Sequence, residues 1–309
     1  MKQKQYTLLI SLVAACGILA AFFTNYLLID TGENNWRWMM LVMVVPALLF
    51  FGLLFTVPRS PRWLLMVGKN EEGLSVLKKI TGEENAVREY DAIRQFLNTK
   101  KEKTTLKDVL RYKSGTALTI GIFLAVFQQI TGINVIMYYA PVIFDTLGFS
   151  ADSSLFQTVL IGCINFLFTV GSMFLIDKLG RKPLLLTGSA CMAISLGVLA
   201  LILTNNVAGY WILTCILVYI AAFAISLGTV TWVLISEIFP NKYRGIGVSI
   251  STMFLWVACF AVAFLFPVVL SSLGTVNTFL LFMAICIAAF FFYLFFVKET
   301  KNIKLEDIE

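Results

Sequence analysis

Six hydrogen-bonding side chains stand close together in an otherwise apolar run: Gln128, Gln129, Thr131, Asn134, Tyr138 and Tyr139. Amides both donate and accept, which suits a neutral, polyhydroxylated ligand, and phenol rings can cover the C–H surface of such a ligand. At about 100° per residue, Gln128, Thr131, Asn134, Tyr138 and Tyr139 fall within an arc of about 140° on a helix, as the wall of a cavity would show. Gln129 lies outside that arc unless Gly132 loosens the helix locally. The competing reading of the same residues is hydrogen-bond glue between helices.

Other polar groups are sparser. Asn165 is a lone amide in the next apolar run, as readily glue as ligand, and Trp232, one turn beyond Gly228, is an indole placed mid-run. Asp177, Gly180, Arg181 and Lys182 form a tight charged turn between two apolar runs, and Glu237 with Arg244 brackets a second turn at Pro240. Charge pairs in such places can latch one conformation and break in another, or can simply orient the chain. No Asp or Glu falls near the middle of an apolar run, so an intramembrane carboxylate relay has no candidate here. The chain has no His, and its six cysteines all sit inside apolar runs, reading as free thiols rather than metal ligands or a disulfide framework. No cofactor is indicated, and an enzyme is not expected: no paired carboxylates, metal set or nucleophile with its base is visible.

The elements that must carry these residues are membrane helices. With 59% hydrophobic and 14% charged residues and a mean hydropathy of +0.86, the chain suits lipid rather than a water-soluble core. A hydrocarbon core of ~30 Å needs about 20 apolar residues per crossing, and eight runs qualify: 7–28, 37–56, 116–144, 155–176, 183–204, 209–236, 246–271 and 276–297. If Met1 is cytoplasmic, alternation puts Lys2, Lys4, the whole 57–115 segment, Lys178, Arg181, Lys182, Lys242, Arg244, Lys298, Lys301 and Lys304 inside and leaves only Arg37 outside. The positive-inside rule therefore predicts both termini in the cytoplasm. The formal charge of +6 is then an orientation signal, and a nucleic-acid partner is not implied. The first run is too long for a signal-peptide core and lacks a small-residue cleavage site, so it reads as a true span.

Between the second and third spans lies a polar segment, 58–115. Ser60 before Pro61 predicts a capped helix start. Leu74, Leu77 and Ile80, then Tyr90, Ile93 and Leu97, then Leu106, Val109 and Leu110 recur at helical spacing, which predicts three or four amphipathic helices rather than a flexible linker. The expected organisation is 1–57 with two spans, 58–115 cytoplasmic, 116–298 with six spans, and a tail at 299–309.

Gln128-Gln129-Ile130-Thr131-Gly132-Ile133-Asn134, followed by Tyr138-Tyr139-Ala140-Pro141, resembles the seventh-helix signature of sugar porters in the major facilitator superfamily. The likeness extends to Pro58-Arg59-Ser60-Pro61-Arg62-Trp63-Leu64, to Asp177 through Lys182, to Trp232 and Ser236 through Pro240 with Arg244-Gly245, and to Glu299-Thr300-Lys301. The look is that of the bacterial xylose/proton symporter branch.

The resemblance implies an all-α fold, in part, with the eight spans equivalent to helices five to twelve of twelve, and with the first four apparently missing. It implies that Gln128, Gln129, Asn134, Tyr138, Asn165, Gly228 and Trp232 bind a monosaccharide such as xylose or glucose, and that Asp177, Arg181, Glu237 and Arg244 form a cytoplasmic gate. It implies residence in the bacterial inner membrane, and coupling to protons through helices absent here. Against the family pattern, Arg59 stands where Glu is usual, Ile18 sits near a usual Gln and Thr229 replaces a usual Pro. Leu255 and Cys259, around the matching Trp256, occupy places where relatives often carry sugar-binding amides. Two functions are open: part of a pentose or hexose symporter, or a non-transporting membrane sugar sensor or partner subunit.

Overall fold

Backbone at bilayer depth has no water to bond, so apolar runs must close their hydrogen bonds internally as helices. The structure, a computed structural model, describes residues 2–98, 114–146, 151–205, 210–240 and 243–301. Its helices are α1 (Lys2–Leu27), α2 (Asn35–Val42), α3 (Val44–Leu54), α4 (Pro61–Met66), α5 (Asn70–Thr81), α6 (Glu83–Asn98), α7 (Ser114–Ile130), α8 (Ile133–Thr146), α9 (Ala151–Leu179), α10 (Arg181–Thr204), α11 (Tyr210–Ile225), α12 (Leu227–Glu237) and α13 (Arg244–Phe296).

Among the described residues, 7 helical stretches are long and apolar enough to cross a membrane. The last, α13, runs for 53 residues. At 1.5 Å per residue that is about 80 Å, far beyond a ~30 Å hydrocarbon core. Its backbone leaves the helical region at Gly274, with φ 74° and ψ 167°, a conformation that glycine adopts without steric penalty. The break falls between the seventh and eighth expected spans, so the eight crossings stand.

The chain divides into two compact units, Met1–Asp30 with Leu106–Glu309, and Thr31–Thr105. In the larger, α13 packs along α7 and α10, α11 lies against α9 and α10, and α1 runs along α9. Buried Leu124, Ile161, Leu185, Met192, Leu196, Ile220 and Leu234 belong to its main core, and Leu118, Ala125, Ile235, Phe239 and Leu255 form a second cluster.

In the smaller unit, α4 to α6 pack together, burying Leu64, Leu65, Leu77 and Ala86. Glu71 and Glu72 open α5 while Lys78 and Lys79 close it, each charge matching the nearer end of the helix dipole. Two local expectations are corrected. Ile80 is 61% exposed rather than part of the apolar stripe; the buried face of α5 is made by Gly73, which lies against Leu64 and Leu65 of α4, and Leu77. Pro61 does begin α4, where its missing N–H costs nothing, yet Ser60 makes no side-chain capping bond. The expected helix around Leu106, Val109 and Leu110 lies outside the described residues. On α3, Leu48, Leu49, Phe50 and Phe51 are all about 60% exposed, as a lipid-facing span requires.

Candidate polar site and charge cluster

The polar run in the third span sits where its helix breaks. α7 ends at Ile130 and α8 begins at Ile133, with Gly132 at φ 96°. A Cβ there would also stand 2.8 Å from Cδ1 of Phe282, so both backbone conformation and packing require glycine. The loosening that Gln129 needed to join the polar face is therefore present, and the amides form a chain. Gln128 Nε2 donates to the Leu227 carbonyl at 3.1 Å, Gln129 Nε2 to Gln128 Oε1 at 3.2 Å, and Asn134 Nδ2 to Gln129 Oε1 at 2.5 Å. Asn134 also reaches Cys259 Sγ at 3.1 Å. Gln128 and Gln129 are buried, Asn134 is half-buried and Tyr138 is 58% exposed, its ring beside the Cys259 thiol. Tyr139 turns away to bond the Ala263 carbonyl at 3.3 Å.

A second helix breaks next to the first. α11 stops at Ile225 and α12 starts at Leu227 across Ser226, whose φ and ψ are −118° and −96°. No proline makes this break; side chains sustain it. Ser226 Oγ donates to the Ala222 carbonyl, Thr229 Oγ1 to the Ala224 carbonyl at 3.2 Å, and Ser172 Oγ to Thr229 Oγ1 at 2.8 Å. Gly228 lies in the first turn after the break, where a Cβ would stand 3.1 Å from Cε1 of Phe223; its smallness serves the close turn. Trp232 is half-buried against the second hydrophobic cluster. Asn165 is 6% exposed on α9, and among the described residues no hydrogen bond links it to the amide chain. The structure thus brings together Gln128, Gln129, Asn134 and Tyr138 and adds Cys259, with no hydrogen bond among the described residues joining Asn165 to them.

At the other end of these helices lies a charge cluster. Arg181 Nε and Nη2 bond Glu237 Oε2 and Oε1 at 3.1 and 2.7 Å, a two-pronged pair. Thr300 Oγ1 donates to Glu237 Oε2 at 2.8 Å. Glu299 caps the start of α10, accepting the backbone N–H groups of Arg181 and Lys182, each at 3.0 Å, where unbonded donors and the positive helix end favour a carboxylate. Burial pushes the Glu299 carboxyl up, but the N–H donors of Arg181, Lys301, Lys182 and Thr300 outweigh it and hold the group below its ordinary value. Lys182 Nζ bonds the Leu294 carbonyl and Lys301 Nζ the Lys178 carbonyl, both at 2.7–2.8 Å. Of the four expected gate residues, Arg181 and Glu237 form the pair. Arg244 donates to the Phe239 carbonyl at 3.3 Å and lies in the field of Glu237. Asp177 is exposed on the last turn of α9. Glu299 and Thr300 were legible only as part of a terminal motif.

Set beside known proteins, the chain matches the sequence profile described as sugar (and other) transporter over residues 2–309. It is 38% identical over 308 residues to the arabinose-proton symporter of Bacillus subtilis (strain 168), covering 97% of this chain and 66% of that protein. It is 39% identical over 306 residues to the D-xylose-proton symporter of Escherichia coli (strain K12), covering 95% and 62%. The structure of the major facilitator superfamily proton:xylose symporter XylE bound to 6-bromo-6-deoxy-D-glucose resembles it with a TM-score of 0.80 at 35% identity, over 99% of this chain and 66% of that one. The chain spans just under two thirds of the length of these relatives.

Proposed function

The chain belongs to the sugar (and other) transporter family, and we propose that its eight spans carry the monosaccharide site and the cytoplasmic latch of a pentose or hexose transporter. The observation that carries this reading is the hydrogen-bonded chain Gln128–Gln129–Asn134, buried at the two glutamines and half-buried at Asn134, at the meeting of two interrupted helices. Helix breaks free backbone groups and helix ends at mid-membrane depth, which is why transporters place ligand sites there. Each amide bond inside this chain can be traded for one to a sugar hydroxyl, so little buried polarity is left unpaired on loading. The Tyr138 ring, exposed above the amides, can cover the sugar's apolar face.

The same α12 that starts at the break ends at Glu237, so movement at the site is carried rigidly to the latch. With Arg181 and Glu237 joined, the ends of α10 and α12 are held together; parting them opens the cytoplasmic side. The distribution of Lys and Arg supports a cell-membrane orientation with both termini cytoplasmic. Proton coupling, named in the arabinose and xylose relatives, needs a mid-membrane acid that these spans do not supply.

Equilibrium binding of radiolabelled D-xylose, L-arabinose and D-glucose to the purified chain tests the reading. Saturable binding of at least one sugar is expected, with a loss of tenfold or more in Gln128→Ala, on the order of the ~1.4 kcal/mol that one buried hydrogen bond contributes. Equal binding by the two proteins would remove the site assignment.

A further inference from the structure

Thr131 is fully buried just past the end of α7, and the break deprives its carbonyl of a backbone donor. The neighbouring turn bonds run instead from Thr131 N–H to the Phe127 carbonyl, from Gly132 N–H to that of Gln129, and from Ile136 N–H to that of Gly132. A buried carbonyl at bilayer depth needs a partner. That partner is the Tyr219 hydroxyl, which donates to Thr131 O at 2.9 Å. Tyr219 is 1% exposed and stands on α11. Eight residues further along, past the Ser226 break, Leu227 accepts the Gln128 amide. The two broken helices are therefore tied twice and in opposite senses, with α11 holding the α7–α8 break and α7 holding the start of α12.

We propose that Tyr219 is a positioning residue of the sugar site: by holding the Thr131 carbonyl it fixes the break that sets Gln128, Gln129 and Asn134 in one chain. This rests on the sugar reading above for its ligand. It also makes a claim about the break alone. Without the hydroxyl, the carbonyl must seek another donor, and the first turn of α8 moves with it. Asn134 then leaves Cys259, to which it is bonded at 3.1 Å. The same shell contains its own control. Tyr293 is equally buried in the same hydrophobic core, and its hydroxyl has no hydrogen-bond partner among the described residues.

The test compares Tyr219→Phe with Tyr293→Phe, each deleting one buried hydroxyl and nothing else. Two quantities are read on the folded protein: the rate at which N-ethylmaleimide labels Cys259, resolved by peptide mass spectrometry, and the Kd for D-xylose. Tyr219→Phe is expected to label Cys259 at least about threefold faster and to bind xylose about tenfold more weakly, equivalent to ~1.4 kcal/mol; Tyr293→Phe should change neither. Melting temperatures that fall in Tyr219→Phe while labelling and Kd stay at wild-type values would reduce the residue to plain packing and overturn the proposal. Faster labelling in Tyr219→Phe, together with a wild-type chain that binds no sugar, would uphold the hold on the break and overturn the sugar reading instead.

Discussion

Separating Arg181 from Glu237 is the sharpest perturbation that the structure offers. The pair meets at 2.7 and 3.1 Å with side-chain exposures of 7% and 18%, so both charges have given up most of their hydration. At an effective dielectric of about 20, unit charges ~4 Å apart attract by ~4 kcal/mol. Desolvation takes back part of that, and a net coupling of about 2–3 kcal/mol remains. Removing one partner alone leaves the other charge buried and costs about 3 kcal/mol or more. Arg181→Gln, Glu237→Gln and the double substitution form a mutant cycle, read as unfolding free energy in a mixed-detergent titration. The expected result is that the double variant is no less stable than the worse single variant, because the second substitution removes an already orphaned charge. Single effects that simply add, with coupling under about 0.5 kcal/mol, would show that the two charges are not coupled and return them to the role of orientation charge.

Three further outcomes follow from the geometry. Gly132→Ala should destabilise the protein by about 1 kcal/mol more than Gly274→Ala, since both positions carry positive φ but only the former meets a ring at 2.8 Å; equal melting temperatures would contradict the packing at the break. Glu299 has a folded pKa below its unfolded value, so its stabilisation is complete above the unfolded pKa and is lost as pH falls through the lowered folded one. Wild type should accordingly melt above Glu299→Gln at neutral pH, and the two curves should converge under strong acid; a gap that widens on acidification would reverse the sign. Asn134→Ala should free the Cys259 thiol and weaken sugar binding together, and labelling of Cys259 unchanged in that variant would show that the 3.1 Å contact does not shield it.

Much of this was readable from residue types because lipid imposes simple rules. Runs of about 20 apolar residues became helices, and Gly132 became a break where the helical wheel had left Gln129 off the polar face. The Ser226 break was not legible. Its sequence, Ile225-Ser226-Leu227-Gly228-Thr229, has no proline, and the bonds that sustain it come from Ser172 and Gln128, far away along the chain. Tyr219 was invisible for the same reason: a phenol in an apolar run has no periodic partner, and Thr131 lies 88 positions away. At the latch, charge type and spacing pointed to Arg181 and Glu237, while Glu299 and Thr300 bond there only because the chain returns past the start of α10.

A sugar site beside Asn134 and Tyr138 has a native reporter in Cys259. Peptide-resolved labelling of the native cysteines with a small thiol reagent, with and without saturating monosaccharide, reads that position through Cys259, with the exposed Cys16 and Cys191 as internal references. Protection confined to Cys259 is the predicted result, and labelling at Cys259 that no monosaccharide alters would contradict the account.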